Sequence, residues 1–403
     1  MRRERLSQYV GEITMILMNT NISEFIHRNK KIVCFGAGHT LRDFCRYFRY
    51  NNLDFSDYLC AILDNKATAF RYGGDVLPVH TIEGFLRRND ACMDGAVLLI
   101  TSLWYAEIIA QLQKIDALRH TRCYIYPFVA ITPAPYDFPK RQSGTAPKIP
   151  KRIHYIWFGD KGIPEQTRTW LKNWERHCPG YEIICWNNKN YDINKHPHVK
   201  NALAMKLFAH ASDYARLDIL YEYGGIYFDT DVEILSSLDA LLYDEAFIGF
   251  SNGFPHVNSG GGIGAVKGHE LVGEMLHNMR NISFADFTSG FNIERETDVL
   301  MDHGLIPNNQ MQQLGGMRVY PTDVFSPLTY LGSPAAFTKN TLTIHHSSVS
   351  WYDEQRLSIK TKQAAGAAQF WREYGGALTQ DNDLIDYYDL NDFNDLELQH
   401  DGL

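Results

Sequence analysis

Residues 131–150, ITPAPYDFPKRQSGTAPKIP, place five prolines in twenty positions. Proline cannot donate to a sheet ladder and disfavours helix in the residue before it. Neither regular structure can run through this stretch, so 131–148 reads as a linker. It divides the 403 residues into two regions, each long enough for a domain of its own.

Both regions alternate short apolar runs with helix-period segments. In the first, 1–130, KIVCFGAG (31–38), YLCAILD (58–64), AVLLITS (96–102) and CYIYPFV (123–129) read as buried strands. LRDFCRYFRY and YAEIIAQLQKI lie among them with helical spacing. Such alternation predicts a parallel sheet with helices on its faces. The second region starts at RIHYIWFG (152–159) and extends to a helical segment near 355–375, giving a second α/β domain over 149–378. Residues 379–403 carry eight acids and no Lys or Arg, and read as a disordered acidic tail. Setting those eight aside leaves 39 acids against 39 bases. A balanced body gives no sign of the concentrated basic face that binds nucleic acid, so no nucleic-acid partner is expected. The seven cysteines form no CxxC pair, against both a disulfide framework and a structural zinc site. The apolar stretch 13–18 is too short for a signal or membrane-spanning segment. These features predict a reduced, cytoplasmic protein, with Arg2, Arg3 and Arg5 leaving peripheral membrane contact open.

In the first region Gly36-Ala37-Gly38 follows a strand and precedes a helix, where backbone N–H groups can hold a phosphate. Asp64 ends the next strand, at a distance suited to a ribose hydroxyl. The third glycine of GxGxxG is replaced by Leu41, so a ligand-free strand-to-helix turn is equally compatible. The layout resembles the small Rossmann-like domains found beside bacterial sugar-modifying enzymes, including the N-terminal domain of sialic-acid-type acetyltransferases. That resemblance implies a nucleotide or nucleotide-sugar site at Gly36, Gly38 and Asp64.

The second region holds AHASDYARLDILYEYGGIYFDTDVEIL (209–235). It reads as a helix to Tyr223, a stop at Gly224-Gly225, an apolar strand Ile226–Phe228, and Asp229 and Asp231 at the strand's carboxyl end. Ligands of open α/β sheets bind at that edge. Two acids so close repel unless a cation offsets them, and a hard divalent ion is the natural occupant. Asp213 and Arg216 share a helix face; Arg216 can pair with Asp213 alone or also with a substrate. Asp381-Asn-Asp383 is also DxD, but without strand or glycine turn, and carries no chemistry.

SDYARLDILYEYGGIYFDTDVE closely resembles the core of glycosyltransferase family 32. That family includes bacterial capsular-polysaccharide sugar transferases, yeast initiating mannosyltransferases and, more distantly, clostridial glucosylating toxins. The likeness extends to IPKRIHYIWFGD (149–160), PGYEIICWN (179–187), RVYPTDVFSPLTY (318–330) and TIHHSSVSW (343–351). It implies a GT-A fold with a mixed sheet and transfer from a nucleotide sugar, a UDP-sugar or a GDP-sugar, with retention and with Mn²⁺ or Mg²⁺. By the same resemblance Trp157 stacks the base, or is a core residue. Asp213 and Arg216 contact ribose and donor sugar, and Tyr227 lies beside the diphosphate or packs the strand. Asp229 meets ribose, sugar or ion, and Asp231 binds the ion. His345 or His346 adds a metal or phosphate ligand, with no choice between them. Ser350 touches a phosphate oxygen, and Trp351 covers the diphosphate or the core. The implied acceptor is a glycan or lipid-linked oligosaccharide, as in capsular polysaccharide synthesis, at the inner face of a membrane. Glu294–Leu300 (ERETDVL) departs from the Gly-Pro frequent there in relatives.

Two other readings compete. A haloacid-dehalogenase-type phosphatase also ends a strand with DxDxV, but it needs a later acidic pair and not the SDYAR helix. A non-catalytic sugar-nucleotide-binding protein would not need the intact Asp229/Asp231 pair.

Overall fold

The structure, a computed structural model, describes residues 15–87, 94–139, 144–253, 255–289, 292–348 and 354–378. Ser350, Trp351, the three N-terminal arginines and the acidic tail lie outside the described residues. The chain separates into two compact units, the first reaching Thr132 and the second opening at Pro133.

The first unit runs β1 (Ile16–Leu17), α1 (Ile22–Arg28), β2 (Ile32–Phe35), α2 (His39–Tyr50), β3 (Leu59–Leu63), β4 (Ala69–Tyr72), β5 (Asp75–His80), α3 (Ile82–Arg87), β6 (Val97–Ile100), α4 (Tyr105–Leu112), β7 (Arg122–Ile125) and α5 (Tyr126–Ile131). Its sheet has the order β1-β7-β6-β2-β3-β5-β4. Every pairing is parallel except the β4–β5 hairpin. Strands β2 and β6 are buried at every position, which is why they read as unbroken apolar runs. The chain steps outward from β2 through β3 to β5 and then returns to β6. Between β2 and β6 the connections diverge, the switch point of a doubly wound sheet. CYIYPFV is strand only to Ile125: Pro127 sits in the first turn of α5, where its fixed φ and missing N–H favour a helix start.

The second unit runs β8 (Arg152–Ile156), α6 (Glu165–His177), β9 (Glu182–Trp186), α7 (Pro197–Ala204), α8 (Phe208–Tyr223), β10 (Gly225–Tyr227), β11 (Val232–Ile234), β12 (Ala246–Gly249), β13 (Ile263–Ala265), α9 (Glu270–Asn281), α10 (Phe284–Ser289), α11 (Asn292–Asp302), β14 (Gln312–Leu314), β15 (Met317–Tyr320), α12 (Thr322–Phe325) and β16 (Thr343–His345). The sheet order is β14-β15-β12-β13-β10-β8-β9, and β11 and β16 form a separate two-stranded ribbon. Strand β13 is antiparallel to both neighbours while β8, β9 and β10 are mutually parallel, so the sheet is mixed, as the GT-A resemblance implies. Ile153, Trp174, Ile226, Phe228, Phe247 and Phe325 are among its core residues.

Two boundaries differ from the sequence reading. The proline-rich stretch does not swing free: Tyr136 donates to both oxygens of Asp323 at 3.0 and 3.1 Å, Phe138 stacks on Tyr320, and Ile149 enters the core. These are contacts of the second unit, because aromatic side chains set between prolines bury readily even where the backbone cannot be regular. The last helix, α13 (Glu354–Leu378), groups with the first unit rather than closing the second. There Trp371 stacks on Phe128 at 5.6 Å and Phe370 meets Tyr105 edge-on. Ala367, Phe370 and Trp371 form the buried stripe, and helical spacing does not say which unit such a stripe covers. Among the described residues no helix is long and apolar enough to cross a membrane.

Candidate active site

Helix α8 delivers the site. It stops where Gly224 takes φ +64° and its N–H returns to the Leu220 carbonyl. Gly225 follows at φ +113°, and a Cβ there would sit 2.8 Å from His154 Nε2. Only glycine fits both demands. Buried His154 holds this turn, its ring lying 2.8 Å from the Gly224 carbonyl while Trp186 donates to Nδ1. The chain thus reverses within two residues, and β10 runs back parallel to β8 so that Asp229 and Asp231 emerge at its carboxyl end. Trp157 follows β8 at the same edge. It is half-buried, with its indole N–H bonded to the Lys161 carbonyl at 2.7 Å.

Asp229, Asp231 and His345 converge: one ligand atom from each lies within 4.8 Å of the others. His345 arrives on β16, whose register places it opposite Val232, one residue beyond Asp231. Its Nε2 stands 3.3 Å from Asp231 Oδ1, while its Nδ1 is buried with no partner among the described residues. His346 points elsewhere. It pairs with Glu233 at 3.0 Å and stacks on Trp170 with ring centroids 4.6 Å apart. His345, the last residue of β16, and His346 just beyond it point to opposite sides, as successive residues of extended backbone do.

Arg216, 5% exposed, joins the two acids of the sequence reading. Its Nη2 lies 3.0 Å from both Asp213 Oδ1 and Asp229 Oδ1, and its Nη1 donates to Ser259 Oγ at 3.3 Å. The guanidinium also lies over the Tyr227 ring, 5.1 Å from its centroid. Tyr227 is buried in the strand, and its hydroxyl donates to Asp229 Oδ1 at 2.8 Å.

Three side chains missed by sequence reasoning complete the site. Ser348 donates backbone and hydroxyl hydrogens to Asp231 Oδ2 at 2.8 and 2.9 Å. Ser259 and Glu296 bond to one another, and Glu296 is 1% exposed. A signal for the turn was present in Asn258-Ser259-Gly260-Gly261-Gly262. Gly260 passes so close that a Cβ would stand 2.2 Å from Asp229 Oδ2, and its carbonyl accepts the Asp229 N–H at 2.9 Å. Glu296 lies in the stretch noted for lacking Gly-Pro. Its signal was an acid sharing a helix face with Val299 and Leu300.

Charge explains the titration behaviour. Burial disfavours the ionised form of Asp231, but His345 and the two Ser348 donors outweigh it and hold the carboxyl well below the usual range. Asp231 in turn raises His345 against the opposing effect of burial. Burial pushes Asp213 up to about 6 and Glu296 up to about 7, although Arg216 pulls both down. Four carboxyl groups therefore surround one guanidinium and one imidazole. That deficit of positive charge, with two carboxylates and an imidazole nitrogen as donors, fits a divalent cation such as Mn²⁺ or Mg²⁺.

In the first unit the three named residues are also neighbours, but differently engaged. Asp64 Oδ2 accepts the Ala37 N–H at 2.9 Å, and Oδ1 accepts those of Lys66 and Ala67 at 2.8 and 2.9 Å. Gly36 has φ +119° and no room for a Cβ, which would lie 2.5 Å from the Thr101 carbonyl oxygen, whereas Gly38 faces open space.

The family described as "Glycosyltransferase sugar-binding region containing DXD motif" matches residues 164–248, a span from α6 into β12 that contains both aspartates. Inositol phosphoceramide mannosyltransferase 1 of Schizosaccharomyces pombe (strain 972 / ATCC 24843) is 29% identical over 162 residues, 36% of this chain and 47% of that protein. Subversion of eukaryotic traffic protein A of Legionella pneumophila subsp. pneumophila (strain Philadelphia 1 / ATCC 33152 / DSM 7513) is 29% identical over 118 residues, 23% of this chain and 18% of that one. The chain thus spans less than half the length of these relatives. Among solved structures, PaToxG glycosyltransferase aligns over 38% of this chain and 68% of its own, at 18% identity and a TM-score of 0.32.

Proposed function

We propose that this chain, a DXD-containing glycosyltransferase by its 164–248 segment, moves a hexose or N-acetylhexosamine from a nucleotide sugar to a glycan acceptor with the help of a divalent ion. The observation that carries the reading is the convergence of Asp229, Asp231 and His345 at a strand end. These three would hold the ion. Mn²⁺ suits the mixed oxygen and nitrogen donors better than Mg²⁺, which favours oxygen alone. When bound, the ion supplies Lewis-acid stabilisation of the departing diphosphate, worth several kcal/mol.

The chain's own groups do the rest. Arg216 is held on three sides by Asp213, Asp229 and Ser259, so its charge faces the donor without reorganising. The Trp157 face offers a stacking surface for the base, with the ring fixed by its bond to Lys161. Asp213 and Asp229 are both committed to Arg216, which leaves neither as a free nucleophile. Retention then proceeds by attack from the leaving-group side; trapping a covalent glycosyl–enzyme intermediate would refute that step. The acceptor suggested by the family resemblance is a growing, lipid-linked surface polysaccharide at the cytoplasmic membrane face. Two S. pombe relatives are mannosyltransferases, which brings GDP-mannose in beside the UDP-sugars.

The test is a panel of UDP- and GDP-sugars with Mn²⁺, scored for donor hydrolysis, with Asp231→Asn as control. Hydrolysis of one donor, lost in the variant, is the expected result. Phosphate release from p-nitrophenyl phosphate without any donor hydrolysis would assign the aspartates to phosphatase chemistry instead.

A further inference from the structure

Helix α11 grips the turn that passes over Asp229. Glu296 Oε2 accepts the Ser259 N–H at 3.0 Å, and Oε1 accepts both the Ser259 hydroxyl and the Asn292 amide. The next residue, Thr297, accepts the Val257 N–H at 3.0 Å. Within the turn Asn258 Oδ1 accepts the Gly260 N–H, and the Gly260 carbonyl accepts that of Asp229. A serine hydroxyl has one hydrogen and two lone pairs. Because Glu296 takes the hydrogen, Ser259 can only accept on its other side, where Arg216 Nη1 stands 3.3 Å away. Arg216 in turn holds Asp229 at 3.0 Å.

We propose that Glu296 is a positioning residue for the cation site: it orients the Ser259 hydroxyl toward Arg216 and clamps the 257–260 turn, and through both it sets the place of the Asp229 carboxylate. Glu296 itself touches neither ion nor substrate. A carboxylate on an apolar helix face is costly to bury, and packing gives no reason to keep it, since Val299 and Leu300 already fill that face. The inference rests on the cation reading of Asp229, Asp231 and His345.

The experiment measures Mn²⁺ affinity by calorimetry on the full chain without donor, alongside the melting temperature. Outer partners of metal ligands typically contribute about 10–100-fold in affinity. Ser259→Ala and Glu296→Ala are each expected to weaken Mn²⁺ binding about tenfold. The double variant should be no weaker than Glu296→Ala, because the two act along one path. Glu296→Gln, which keeps one acceptor oxygen, should fall between wild type and Glu296→Ala. Should Glu296→Ala not fold, Ser259→Ala and Glu296→Gln carry the comparison. Wild-type affinity in these variants, with only the melting temperature lowered, would overturn the proposal, as would losses that multiply in the double variant. A wild-type chain that binds no Mn²⁺ would overturn the cation reading and this inference together; wild-type binding with unaffected variants would overturn the inference alone.

Discussion

Each unit sets an aspartate at the carboxyl end of a central strand, beside glycines, at the edge where α/β sheets bind ligands. The two edges use it in opposite ways. Asp64 spends its oxygens on three backbone N–H groups of its own unit, so its charge is answered locally and it ties two loops together. Asp229 is held by Arg216 and Tyr227, and Asp231 by His345 and Ser348; with Asp213 on the same guanidinium, three carboxylates share one guanidinium and one imidazole. A carboxylate at a strand edge is thus no sign of a ligand until its partners are counted. The uncompensated charge marks the site.

The sharpest way to break this contrast is the same change at both edges. Asp231→Asn should lower donor hydrolysis about a thousandfold, the scale of removing a metal's contribution. Asp64→Asn should leave hydrolysis unchanged and lower stability by about 1 kcal/mol, the net value of a hydrogen bond lost at half-buried and exposed donors, read by urea denaturation. Equal kinetic losses would erase the distinction. A glycine pair follows. Gly260→Ala drives a methyl group onto Asp229 and should cost about a hundredfold in Mn²⁺ affinity. Gly38→Ala enters open space and should shift stability by about 0.5 kcal/mol or less.

Within the second unit, the two adjacent histidines sharpen the point. His345→Ala should weaken Mn²⁺ binding about tenfold or more. His346→Ala should leave it near wild type and cost about 1 kcal/mol of stability, the value of an aromatic stack, here the one with Trp170. Calorimetry and melting curves separate these outcomes. The smallest expected effect is in pH dependence, where Asp64 and Glu296 have opposite signs. The pKa of Asp64 is lowered: burial opposes, but the N–H groups of Ala37, Ala67 and Lys66 prevail. Its contribution is present above the unfolded value of about 3.9 and lost as pH falls through the lower folded one. Glu296 is raised to about 7 by burial, so its contribution is full below an unfolded value of about 4.3 and lost as pH rises through 7. Melting temperature against pH should show a smaller acid slope in Asp64→Asn, with Asp231 keeping the rest, and a smaller slope between about 4.3 and 7 in Glu296→Gln, with Asp213 keeping the rest.

Much of this architecture was open to reading along the chain. Apolar runs located β2, β3 and β6, because strands buried on both faces keep no polar alternation. The Gly224-Gly225 stop and the two aspartates beyond it follow from local conformational demands that act within a few residues. Misreadings came where local signals have two outcomes: Pro127 opens a helix that looked like strand, and Tyr136 and Phe138 anchor a stretch that looked like linker.

What the sequence determined alone was therefore the pieces: two α/β regions, a helix stopped by glycines, and a carboxylate pair at a strand tip. The tertiary structure alone decided how those carboxylates are answered. It chose His345 over His346, brought in Ser259 and Gly260 from a turn, and set Glu296 behind them. Those residues lie far along the chain from Asp229, and no local periodicity records which distant groups a fold will bring within hydrogen-bonding reach of a buried charge.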